Sequence, residues 1–211
     1  DPVEGPDLDP VQAVDLRDAE RLDDRTVIAA AALAAVVGAG AGIGSYATLV
    51  ADRATTALAE VEVPLDGMGV VAEVGTIPTQ PYFMTWWHRS EAGTPEEKKH
   101  VTDPARSDFY DYSQREYIAR PRSSHAAWAM GPYVDVGGVD DYTITVSAPI
   151  LERGTFLGVA AADLRVTDLE RHLAPWLAEA DAPTLLVNAD NRVIASNSAA
   201  HVVGDVIRPV L

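Results

Sequence analysis

The chain has 211 residues, 47% hydrophobic and 23% charged, and its 32 acidic side chains against 16 basic ones give a formal net charge of −16. That length supports one good core or two modest ones, and so acidic a field repels nucleic acid, for which no local basic strip compensates. Cysteine is absent and the five histidines are scattered, which excludes a disulfide framework and a thiolate metal site; neither a metal nor a cofactor is expected.

Residues 1–24 carry nine acids and two bases, with Pro2, Pro6 and Pro10 spacing the start. This predicts an extended segment running into helix from about Val11. Thr26 to Val50 lacks charge and is long enough to span a bilayer, but it is mostly Ala and Gly. A long helix is expected there, bent near Gly38 to Gly44, where small side chains let another element approach, and ending at Pro64. A membrane span is the alternative. MGVVAEVGTI and PYFMTWWHRS then read as two strands joined by a turn. Trp86 and Trp87 are adjacent and point to opposite faces, one into the core and the other as a candidate pocket wall.

EAGTPEEKKHVTDPARS reads as a surface loop. Ser107 is placed as an N-cap with Asp108 in the first turn, opening a helix through FYDYSQREYIA that Pro121 closes. Strands follow around AWAMGPYVD, at YTITVSAPI and at GTFLGVAAADL, the last two joined as a hairpin through LERGT. Strict alternation would put Thr155, Leu157, Val159, Ala161 and Asp163 on one face and Phe156, Gly158, Ala160 and Ala162 on the other. That second face is bare enough for the Ala/Gly-rich segment at 29–44 to lie against it. Tyr133 and Asp135 share a face of their own strand. After Asp163, VTDLERHLAPWLAEA reads as an amphipathic helix with Thr167 as N-cap and Leu169, Leu173 and Trp176 on one stripe. TLLVNADNRVIASNS reads as a hairpin turning at Asn188 to Asn191.

The ordered set DFYDYSQREYIARP, GPYVD, YTITVSAPI, GTFLGVAAADL and NADNRVIASN resembles the Cache sensor domains, PDC-type relatives of the PAS fold, over roughly Gly67 to Asn197. The WW pair resembles a soluble actinobacterial branch. The resemblance implies an α+β, PAS-like antiparallel sheet of about five strands with a long N-terminal helix on one face, plus a C-terminal helix and β-hairpin. It divides the chain into an acidic segment with a long helix (1–63), a ligand-binding core (64–178) and a hairpin extension (179–211).

By resemblance to amino-acid-binding members, Tyr110 and Arg115 fall where the family holds a ligand carboxylate, and Tyr133, Asp135 and Asp163 where it holds the amino group. Tyr117 stands where those members carry Trp, and Ile118 where they carry a second Tyr. The chemistry agrees: a guanidinium forks onto a carboxylate, acids suit an ammonium, and phenols or an indole such as Trp86 cover the apolar stem. The expected function is a sensory domain for a small charged metabolite, an amino acid, amine or carboxylate, that regulates an output domain or partner. The same residues have plain readings too, Arg115 as a solvated helix residue paired with Glu116 or Asp111, and the tyrosines as core. An enzyme using Asp135 and Asp163 as acid and base is disfavoured because no nucleophile is paired with a base. The alternative function is a structural or dimerising module without ligand, in which the Ala/Gly-rich helix mates with its copy in a homodimer, and such a dimer is also compatible with sensing. The compartment is read as cytoplasmic, with an extracytoplasmic sensor as the alternative.

Overall fold

A computed structural model describes residues 12–15, 65–77, 79–90, 92–134, 142–188 and 190–208. The Ala/Gly-rich segment, the helix and bilayer alternatives for it, and Asp135 lie outside the described residues. Among those described, no helix is long and apolar enough to cross a membrane.

The main sheet has six strands: β2 (Leu65–Ala72), β3 (Met84–Arg89), β4 (Pro95–Glu97), β5 (Trp128–Val134), β6 (Tyr142–Glu152) and β7 (Thr155–Arg165). Their spatial order is β4-β3-β2-β7-β6-β5, and every pairing is antiparallel. The expected strands are all present. β4 is an addition, formed where the sequence reads as surface loop, and it extends the sheet beyond β3. The β6–β7 hairpin turns on Arg153 (φ 50°) and Gly154 (φ 83°), a left-handed pair that suits a tight two-residue connection.

The two sheet faces carry separate cores. On one, Leu65, Met68, Val70, Ile150, Ala160, Ala162 and Leu164 are buried together, with Trp87 and Leu157 against them. On the other, Val71 and Val159 pack with Tyr112, Tyr117 and Ile118, and Phe156 joins them. Each fully buried aliphatic side chain contributes about 1.5–3 kcal/mol. The expected alternation therefore fails before Val159: Phe156 and Leu157 have exchanged faces. A bulge is responsible. Gly158 has φ +144°, and a Cβ there would lie 2.2 Å from the Val71 carbonyl oxygen, so the break requires glycine.

The first helix, α1 (Glu116–Ser124), is shorter than expected and begins after Arg115, with Pro121 inside it. Ser107 caps nothing here, because the residues of the expected first turns are held elsewhere. Asp108 takes a bidentate hydrogen bond from Arg106 at 2.9 Å, and Tyr110 N–H donates to Val101 at 2.8 Å. Asp111 accepts from Ser113 N–H, and the buried Tyr112 hydroxyl accepts from Phe83 N–H at 2.9 Å while donating to the Phe83 carbonyl at 3.3 Å. These bonds stitch residues 101–115 down onto the sheet as irregular chain. α1 is then fixed over its face by Arg122, which donates to Glu73 at 2.7 Å and to the Ser113 carbonyl at 3.0 Å.

The second helix, α2 (Val166–Ala178), starts directly from β7 without a side-chain cap, so Thr167 is not its N-cap. Leu169 and Leu173 face the core as expected, but Trp176 is 43% exposed and Leu177 is buried in its place. The helix joins the main sheet, through Ile144, to Leu186 and Ile194 of a second sheet. That sheet comprises β8 (Thr184–Val187), β9 (Val193–Ser196) and, parallel to β8, β1 (Gln12–Asp15). Gln12–Asp15 is thus a strand where helix was expected from Val11. In the β8–β9 turn the buried Asn188 accepts from Asp190 N–H and Arg192 N–H through Oδ1 and donates through Nδ2 to the Gly131 carbonyl in β5.

Candidate functional site

On the Val71–Val159 face the sheet carries small residues where β2 crosses its centre. Gly67 lies between Asp163 of β7 and His88 of β3, and Gly69 lies between Ala161 and Trp86. The Trp86 indole lies across both glycines: a Cβ on Gly67 would be 2.7 Å from Nε1 of Trp86, and one on Gly69 would be 2.8 Å from its Cε3. Trp87 sits on the other face, so the adjacent pair divides as its period requires.

Above this floor is a cavity of ≈ 60 Å³ lined by Met84, Trp86, Lys98, His100, Tyr110, Tyr117, Tyr133, Thr145 and Asp163. A buried water needs roughly 10–15 Å³ on the same measure, so the space suits a molecule of several heavy atoms. A larger groove of ≈ 380 Å³ runs between α2 and β9, past Glu170, Leu177 and Asn197. It is shallow and brings few polar groups to a common point, so we place the candidate site in the smaller cavity.

The polar groups of the cavity form a connected array. Thr145, directly across from Asp163 in the β6–β7 ladder, donates to its Oδ1 at 2.5 Å and is left to accept from the Tyr133 hydroxyl at 2.8 Å. A bulge between Met130 and Tyr133 interrupts the β5–β6 register just before Tyr133. Tyr110 and Tyr117 form the roof, their hydroxyls 3.4 Å apart. Burial first, and then the neighbouring Tyr110, Asp163 and Tyr133, push the Tyr117 phenol far above the usual tyrosine value, so it stays neutral.

Of the residues singled out in the sequence, Trp86, Tyr110, Tyr117, Tyr133 and Asp163 are thus brought to one cavity. Arg115 does not line it. That residue is exposed at the start of α1, with its guanidinium 5.6 Å from the centroid of the Tyr110 ring, at the edge of the roof. Because α1 begins only after Arg115, Tyr110 and Arg115 are not constrained by helical spacing, and both are on the same side of the site. Met84, Lys98, His100 and Thr145 are additions. Period two puts Thr145 on one face with Ser147, but its place opposite Asp163 depends on the β6–β7 register, which only the fold supplies. Lys98 and His100 are also two apart, but without β4 nothing assigned them a face. Among the described residues no group of three or more His, Asp or Glu is arranged to hold a metal ion.

An antiparallel sheet with an aromatic and acidic cavity on one face, roofed by a short helix and a stitched loop, defines a PAS-like sensor module. The chain belongs to the family described as methyl-accepting chemotaxis protein-like, first PDC sensor domain, whose sequence pattern matches residues 59–171. No curated protein matches it in sequence. Among solved structures it is similar to the extracellular domain of a histidine-kinase candidate, soHK1S-Z6, at 17% identity and a TM-score of 0.59, covering 72% of this chain and 56% of that one. It is similar to the sensory domain of the Campylobacter jejuni chemoreceptor Tlp3 (15% identity, TM-score 0.58, 90% and 68% covered). A third likeness is to the ligand-binding domain of the Pseudomonas fluorescens chemoreceptor CtaA in complex with L-valine (16% identity, TM-score 0.54, 85% and 68% covered). The chain therefore spans little more than half the length of the first of these. At such identities the likeness establishes the fold, and the family that matches is one of sensor domains rather than of enzymes.

Proposed function

We propose that this chain binds a small molecule charged at both ends, an amino acid or a related amine or carboxylate, and passes its occupancy to an output domain or partner outside the chain. The observation that carries the reading is the Tyr133–Thr145–Asp163 array inside a cavity roofed by Tyr110 and Tyr117, with Arg115 at its edge. A ligand ammonium takes the Asp163 carboxylate and the phenol of Tyr133. Asp135, two residues further along the chain, is the second acid in this proposal. A ligand carboxylate takes Arg115, whose fork offers two parallel hydrogen bonds, together with Tyr110. The indole of Trp86 and the Tyr117 ring cover the stem between them.

Arg115 stands outside the cavity, so engaging a carboxylate draws it and the start of α1 inward. Ligand that binds this closed arrangement better than the open one shifts the population toward it, which is all a sensor requires. A homodimer through residues 29–44 belongs to the same proposal, and light scattering with and without ligand checks it. The direct test of binding is a thermal-shift and calorimetric screen of amino acids, amines and small carboxylates. A ligand at 100 times its Kd adds about 2.7 kcal/mol to the stability of the folded chain. Asp163→Asn and Arg115→Ala should each remove that shift while the unliganded melting point holds. A screen in which no charged small molecule raises the melting point overturns the proposal.

A further inference from the structure

Among the described residues that line the cavity is a lysine that the recognition of a simple zwitterion leaves unused. Lys98 follows β4 directly, and its N–H still donates to the Trp86 carbonyl at 2.8 Å, which keeps it in register with Trp86 across the sheet. Its neighbour Lys99 is exposed, whereas Lys98 is half-buried and lines the cavity. Its ammonium makes no hydrogen bond or ion pair with a described residue, although Asp163 lines the same cavity. A half-buried lysine that shares a cavity with an acid and pairs with no described residue is open to a ligand group of opposite charge. A spacing too wide for a direct ion pair is bridged by a molecule that offers each group its opposite.

Counting stations gives the ligand's charges. Asp163 with Tyr133 and Thr145 is a station for an ammonium. Arg115 at the edge of the Tyr110 ring is one for an anion, and Lys98 inside the cavity is a second. We infer that Lys98 receives a second acidic group of the ligand, so that the site selects a compact amino dicarboxylate over its uncharged isosteres. This rests on the zwitterion-binding function proposed above and narrows it. The cavity of ≈ 60 Å³ favours a compact ligand, of the order of aspartate or glutamate, over a bulkier one.

The test is calorimetry on the complete 211-residue chain with L-aspartate and L-glutamate against L-asparagine and L-glutamine, for the unsubstituted chain, Lys98→Met, Lys98→Arg and Asp163→Asn. The inference expects each acid to bind about tenfold or more tighter than its amide, a difference of ~1.4 kcal/mol or more. Lys98→Met should bring that ratio close to one while the amides still bind, and Lys98→Arg should retain it. Amides that bind as tightly as the acids, or an acid preference that survives Lys98→Met, overturn the inference. If neutral amino acids then bind and Asp163→Asn abolishes them, the zwitterion reading stands without it. If none of the four amino acids binds, the inference falls, and the zwitterion reading is decided separately by the wider screen of amino acids, amines and carboxylates.

Discussion

The Gly67→Ala substitution puts the floor of the cavity to a direct test. The added methyl would sit 2.7 Å from Nε1 of Trp86, 3.4 Å from its Cε2 and 3.1 Å from the Trp87 carbonyl oxygen. The carbonyl belongs to the β2–β3 ladder and yields little, so the indole has to move. An ordinary contact begins near 3.4 Å, which asks the ring to retreat by about 0.7 Å, and the sheet behind it leaves only the cavity to enter. Overpacking of this kind costs ~1–3 kcal/mol, which for a chain of this length lowers Tm by roughly 2–12 °C. The larger effect is on binding, because a ring displaced into so small a cavity removes space that the ligand needs. Calorimetry should show affinity falling at least tenfold, beyond what the loss of stability explains. Gly75→Ala is the control: its Cβ meets nothing within 4 Å, but φ is +81°, so it strains the backbone while leaving the site intact. If Gly67→Ala binds ligand as tightly as the unsubstituted chain, Trp86 does not floor the binding site and the placement of the ligand is wrong.

Thr145→Val keeps the shape of the side chain and removes the hydroxyl that joins Tyr133 to Asp163. Affinity measured by calorimetry should fall about tenfold, because a charge-assisted hydrogen bond worth ~1.5–3 kcal/mol no longer orients the carboxylate. Burial pushes the Tyr112 phenol up to about 12, against the hydrogen bonding to the Phe83 backbone that pulls it down. Its ionisation is therefore delayed in the folded chain relative to the unfolded one. The stability associated with it is complete below pH 10 and is lost as pH rises toward 12, and Tyr112→Phe should flatten that part of the denaturation profile. The same variant leaves Phe83 N–H without its acceptor, at a cost of ~1–3 kcal/mol at neutral pH by chemical denaturation.

Which parts of this molecule were legible in its sequence follows from what each signal depends on. The β2, β3, β5, β6 and β7 strands carry β-branched and aromatic runs bounded by turn residues, a local signal that survives in the fold. Trp86 and Trp87 divided between faces for the same reason. The helix expected from Ser107 begins only at Glu116 because Asp108, Tyr110 and Tyr112 commit their hydrogen bonds to Arg106, Val101 and Phe83. The last two are partners that only the folded chain supplies. Phe156 and Leu157 were assigned to the wrong faces because one bulge at Gly158 shifts the period by a residue. Short edge strands are the hardest: β4 has three residues, two of them Glu, and without it Lys98 and His100 cannot be given a side. The strand at Gln12–Asp15 takes its conformation from pairing with β8, far along the chain, and its own residues alternate no more clearly as strand than as helix.

The bond from Asn188 to the Gly131 carbonyl ties two parts of the molecule that share no strand. Gly131 lies in the bulge of β5, two residues before the phenol that lines the cavity, and Asn188 uses its remaining capacity to hold its own turn together. Any tug on Tyr133 that carries the bulge along must either drag the β8–β9 hairpin after it or snap that single amide tether. The hairpin in turn carries Gln12–Asp15 alongside β8, so under the proposed function occupancy of the cavity would have a short and physically continuous route to that strand.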